Sequence, residues 1–89
     1  MKNEVKILRL PVNTNWYKMI QSGELTFDYR EIKPYWIKRL EDKEYDIVEF
    51  YHRFDKSLEP MKFKFKNIHK GIFTDYNLKV YIINFEERI

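Results

Sequence analysis

Thr26, Asp28 and Arg30 place a hydroxyl, a carboxylate and a guanidinium at alternate positions of the run Gly23-Glu-Leu-Thr-Phe-Asp-Tyr-Arg-Glu-Ile-Lys-Pro-Tyr-Trp36. Alternate residues of a strand share one face, so these side chains offer an acceptor and several donors to a polar ligand within about 13 Å, at roughly 3.3 Å per residue. Arg30 carries most of this chemistry, because a planar guanidinium clamps a phosphate or a base edge through two parallel bonds and an ammonium cannot. The competing reading is an internal ion pair with Asp28 or Glu31. Thr26 has no lysine or histidine beside it to activate it as a nucleophile, so binding is favoured over catalysis there.

Tyr35, Trp36, Lys38 and Arg39 follow at once and interleave aromatic with basic side chains. That mixture stacks unpaired bases while tracking phosphates; the competing reading is a packed Trp36 on a helix whose basic residues meet solvent. His52, within Tyr51-His-Arg53, is the histidine that could reach the same cleft, and His69 is the other. With no cysteine and no patterned carboxylate pair, the expectation is no metal and no cofactor. Lys62, Lys64 and Lys66 alternate with Met61, Phe63 and Phe65, which reads as a solvated face or as a stripe that follows a nucleic-acid backbone.

The elements that must position these groups follow from periodicity. Val5–Leu10 reads as a buried first strand closed by Pro11, which cannot donate to a ladder. Asn13, Thr14 and Asn15 supply N-cap side chains, Trp16, Met19 and Ile20 make an apolar helical stripe, and Gly23 can take the positive φ that ends the helix. Leu25, Phe27 and Tyr29 then form the apolar face of the second strand. Pro34 suits the first turn of a helix over 34–40, with Ile37 and Leu40 on its apolar face. The third strand, 45–54, has no uniformly apolar side, which predicts a bulge or a change of face. A loop over 55–60, a strand over 61–66, a turn or bulge at Gly71 with Ile72 and Phe73 continuing the ladder, a loop over 74–77 and a last strand over 79–85 with a short tail complete the order.

Composition sets the outer bounds. At 89 residues the chain is one domain, and 44% hydrophobic with 18% aromatic residues can furnish its core. Seventeen Lys and Arg against fourteen Asp and Glu give +3, which permits a polyanionic partner without demanding one. No apolar run reaches the length of a secretory or membrane segment and the start, Met1 to Lys6, is charged, so a cytoplasmic setting without membrane contact is expected.

The stretch Asn15-Trp-Tyr-Lys-Met-Ile-Gln-Ser-Gly23, then Thr26, Arg30 and Tyr29-Arg-Glu-Ile-Lys-Pro-Tyr-Trp36, resembles the ASCH domain family of the PUA-like superfamily, in its small single-domain bacterial or phage type. The likeness is densest from Trp16 to Leu40. It implies a helix ending in glycine, a cleft-lining strand of the form Gly-x-Lys-Thr-x-Glu-x-Arg, RNA binding, and in some small members hydrolysis of acetylated cytidine through the motif's lysine and threonine. Gly23, Thr26 and Arg30 match, Asp28 is a shortened glutamate, and Leu25 stands where the lysine would be. A leucine has no amine to act as base or to polarise a carbonyl.

The expectation is therefore a single α+β domain over 1–89, a small PUA-like, partly closed mixed β-barrel of about five strands with two short helices. It would bind RNA or a nucleotide through Thr26, Asp28, Arg30, Glu31, Tyr35, Trp36, Arg39 and His52. One alternative is a nucleoside-modifying hydrolase, acetylcytidine amidohydrolase-like or a ribonuclease, that works with Thr26, Asp28, Lys33 and His52. Others are a protein-binding inhibitor module on the same scaffold and a purely structural subunit. The missing lysine sets the first prediction: purified protein shows no turnover of acetylated cytidine above background, and turnover that vanishes on Thr26→Ala would refute it.

Overall fold

Seven elements make up the computed structural model, which describes residues 4–89: β1 (Ile7–Val12), α1 (Thr14–Ser22), β2 (Phe27–Glu31), α2 (Pro34–Leu40), β3 (Ile47–His52), β4 (Met61–Phe73) and β5 (Leu78–Arg88). Met1, Lys2 and Asn3, part of the charged start, lie outside the described residues. The strands form one mixed sheet in the order β1-β3-β4-β5-β2, parallel between β1 and β3 and antiparallel elsewhere. The sheet is not closed: no backbone ladder joins β1 to β2, its two edges.

Both helices start and stop for local reasons. The Asn13 side chain accepts the Trp16 N–H at 2.8 Å, and Gly23 at φ 88° ends α1 with its N–H on the Ile20 carbonyl. Pro34 opens α2, where its missing N–H has no intrahelical partner to lose. Tyr17 and Ile20 bury one side of α1, with Trp16 packed against the core beside them, while α2 buries Leu40 and leaves the expected core residue Ile37 exposed.

Leu8, Leu10 and Val12 of β1, Val48 and Phe50 of β3, Met61 and Phe63 of β4, and Tyr81, Ile83 and Phe85 of β5 meet in one core. Phe50, Phe63 and Phe85 form an aromatic triangle with centroids 4.8 to 6.0 Å apart. Each such side chain, taken fully out of water, contributes about 1.5–3 kcal/mol.

Pro11 does not close β1 but lies within it. In the parallel ladder the carbonyls of Lys6 and Val12 point to β3, where they accept from Ile47 and Arg53. The Pro11 carbonyl points the other way, and so does the side on which an N–H would sit, so proline is tolerated on this edge. The bulge expected in β3 is absent, since its ladder with β4 runs unbroken from Ile47↔Lys64 to Phe50↔Met61. The register shifts fall in β4 instead, between Phe63 and Phe65 and between Phe65 and Asn67, and they carry the strand on to Phe73, well past Lys66. Gly71 is neither turn nor bulge. It pairs with Val80, where a Cβ would come within 2.6 Å of Ile82 Cδ1, so the glycine makes room for a cross-strand isoleucine. The supposed tail at Glu86 to Arg88 belongs to β5.

Among the described residues no helix is long and apolar enough to cross a membrane. The turn after α2 is tied to the sheet by Glu41, which accepts the buried Tyr81 hydroxyl at 2.6 Å and pairs with Lys70 at 3.1 Å. Burial first, and the Glu41 carboxylate second, push the Tyr81 phenol up to about 12 from an ordinary 10.0. A raised folded-state pKa gives stability that is complete below the unfolded value and is lost as pH climbs through the folded one. The melting temperature should therefore fall between pH 10 and about 12, and Tyr81→Phe should remove that part of the alkaline loss; an unchanged alkaline profile in the variant would contradict it.

Candidate functional site

Pro11, Val12 and Asn13 at the end of β1, Trp16 of α1, Asp28, Tyr29 and Arg30 of β2, and Arg53 with Phe54 after β3 enclose a cleft of about 300 Å³. It opens where the two sheet edges come together, because Arg30 of β2 reaches across to β1. Its Nη2 donates to the Pro11 carbonyl at 2.8 Å, and its Nε donates to Asp28 Oδ2 at 2.7 Å. The guanidinium also stands 5.0 Å from the Trp36 ring centroid.

The orientation of β2 reverses the expectation. Asp28, on the polar face, is 3% exposed, whereas Phe27, on the apolar face, is exposed at the sheet edge. Tyr29 is half-buried and packs between Trp16 and Phe73, with centroids at 5.6 and 4.9 Å. A carboxylate is tolerated inside because Arg30, with a side chain only 12% exposed, is its partner. Burial is still the largest influence and pushes the Asp28 carboxyl above its ordinary 3.8, while Arg30 and the Tyr29 backbone N–H pull it back.

Trp16 supplies a further polar group. Its indole N–H is buried and has no hydrogen-bond partner among the described residues. It leans toward the Asp28 carboxylate and adds the weakest of the pulls that oppose the upward shift. A buried donor left unpaired costs about 1–3 kcal/mol, and the Asp28 carboxylate beside it lowers that cost. Arg30 uses two of its five N–H donors on protein. Arg53 has no ion-pair partner among the described residues, and Phe54 beside it is 81% exposed. The cleft thus combines spare donors, one partly neutralised carboxylate and aromatic walls, a lining suited to a planar polar ligand with acceptors on its edge.

The remaining sequence-predicted residues lie elsewhere. Thr26 is exposed ahead of β2, with its carbonyl accepting the Phe85 N–H. Glu31 pairs with Lys33 at 3.1 Å and not with Arg30. Tyr35 and Arg39 stack on each other outside the cleft, Arg39 Cζ lying 3.6 Å from the Tyr35 centroid, and Trp36 touches the site only through Arg30. His52 is buried and committed on both nitrogens. Nδ1 accepts from the Phe54 and Asp55 N–H groups at 3.1 and 2.8 Å, which assigns the proton to Nε2, 2.8 Å from Thr14 Oγ1. It is the pin of the 53–55 turn and does not line the cleft. No group of three metal-ligating side chains occurs among the described residues. Of the predicted set the cleft gathers Asp28 and Arg30; Trp16, read as core, and Arg53 and Phe54, read as strand, join them.

Comparison of the chain with protein-family models, with curated proteins and with solved structures gives no match.

The raised Asp28 pKa fixes a sign. A carboxyl whose folded value lies above its unfolded one contributes most stability below the unfolded pKa, and that contribution is lost as pH rises through the folded value. The stability of wild type minus that of Asp28→Asn, measured by urea unfolding, should accordingly decline from acid to neutral pH. A difference that grows with pH would mean that Arg30 outweighs burial.

Proposed function

We propose that the chain is an RNA- or nucleotide-binding domain of the ASCH-like, PUA-like type, its sheet curling toward a partly closed barrel with the cleft at the seam, and that it works in the cytoplasm. The observation that carries this reading is the cleft itself: the spare donors of Arg30, the Asp28 carboxylate and the exposed Phe54 around one opening. Its volume of about 300 Å³ accommodates one unstacked base with part of its sugar, at the small end of ligand sites. Base edges present acceptors to Arg30 and amino groups to Asp28, and Phe54 with Arg53 at the mouth offers a stacking surface beside a cation for phosphate.

Binding is carried forward in preference to hydrolysis because Thr26, Lys33 and His52, the groups a hydrolase would need, all stand outside the cleft lining. A protein-binding role draws support from Ile72 and Tyr76, 60% and 77% exposed at the β4–β5 turn. The open cleft weighs against it as the primary role, since a pure docking scaffold has no need of a polar hollow.

Phe54 gives the clean test, because its exposed ring contributes little to the core. Phe54→Ala should leave the melting temperature unchanged and weaken binding of ribonucleoside monophosphates or short single-stranded RNA by about 1–3 kcal/mol, measured by calorimetry. Full retention of affinity would remove the mouth of the cleft from the binding surface.

A further inference from the structure

Arg30 is also the first rung of a stack that leaves the cleft. Its Cζ lies 5.0 Å from the Trp36 centroid, Trp36 meets Tyr35 edge-on at 4.8 Å, and Arg39 Cζ lies 3.6 Å above Tyr35. Cation, indole, phenol and cation follow one another without a gap, and Arg39 is held in place by its own bond to the Tyr35 carbonyl at 3.0 Å. The far end of the stack is the wall of a second groove, where Arg39 is joined by Lys6, Lys38 and Lys43 with Tyr45.

The positive charge of this groove is not balanced within it. Arg9, Lys33, Lys62, Lys64 and Lys70 are each within 4.0 Å of a carboxylate. None of the four groove cations has such a partner among the described residues, although Asp42 and Glu44 line the same groove, so four positive charges stand against two negative ones. Unpaired cations held around one furrow favour a polyanion, and exposed aromatics interleaved with them favour a polyanion that carries stackable bases.

We infer that the Arg30–Trp36–Tyr35–Arg39 stack and the groove beyond it form a path for single-stranded nucleic acid, with one nucleotide seated in the cleft and neighbouring phosphates on Lys6, Lys38, Arg39 and Lys43. The inference rests on the reading of the cleft as a nucleotide site and extends it from one nucleotide to a strand. Tyr35, 57% exposed and with Arg39 over its ring, is the stacking station between the two ends.

The test compares two charge-matched triple variants, Lys6→Gln/Lys38→Gln/Lys43→Gln in the groove and Lys18→Gln/Lys56→Gln/Lys79→Gln outside it, all six exposed and without an ion-pair partner among the described residues. The probes are a single-stranded RNA of about ten nucleotides and a mixture of ribonucleoside monophosphates, titrated over a salt series. The groove triple should bind the RNA at least tenfold more weakly than the control triple at low salt. Its log–log salt slope should be shallower by about 0.7 for each phosphate that the protein no longer neutralises, with monophosphate affinity equal in both. Equal RNA affinities and slopes in the two triples, with monophosphates still bound, would overturn the strand path and leave the cleft reading standing. Wild-type protein that binds neither probe at low salt would overturn both.

Discussion

The Arg30 guanidinium is the point on which the arrangement turns. It neutralises a carboxylate that the fold has taken out of water, caps the outward carbonyl of a proline on the opposite edge, and lies against Trp36 of the helix that follows its own strand. Removing one member of so buried a pair costs about 3–5 kcal/mol, since the other is left charged without a partner. Lysine would not substitute. A point charge on a flexible stem can reach Asp28 or Pro11, whereas the planar fork reaches both and still keeps donors free. Structural and ligand-facing roles therefore do not compete at this residue, because the bonds that hold it fixed are what aim its remaining N–H groups.

The helices and the order of elements were legible because their signals are local. Asn13 caps, Gly23 stops and Pro34 starts, each through its own backbone or that of a neighbour within four residues. The full extent of β4 was not legible, because two register shifts interrupt the ladder between Phe63 and Asn67 and the partner strand holds Asn67 to Phe73 in it. The facing of β2 was misread for a different reason. Alternation separates two faces without saying which is inward, and the usual rule, apolar in, failed where an arginine two residues on compensates a buried aspartate.

The site divides in the same way. Asp28 and Arg30 share a strand face, so spacing alone found them. Trp16 comes from α1 and Arg53 with Phe54 from the turn after β3, and no periodicity within α1 or β3 places them beside β2. The Trp16 stripe did predict burial; what it could not carry is that the ring nitrogen would be left without an acceptor. His52 shows the converse. A histidine flanked by Tyr51 and Arg53 has the look of a functional group, and its actual duty depends on Thr14, 38 residues earlier, and on two amides of the turn that follows it.

The pairing pattern of the sheet bears on how the molecule comes to exist at all. β4 and β5 are joined by a short turn and zip from Phe73↔Leu78 outward, which is the cheapest loop to close in the chain. β1 finds β3 across 40 residues, and β2 must reach β5 at Phe27↔Asn84 from near the opposite end of the sequence. Contacts of such separation are slow to form, because loop entropy is spent before they return anything. The two strands with these distant partners are the ones that carry the cleft, so the cleft depends on the pairings that cost the most loop entropy in the sheet. The amides of β1 and β2, at the two edges of the sheet, are the ones expected to exchange first with solvent.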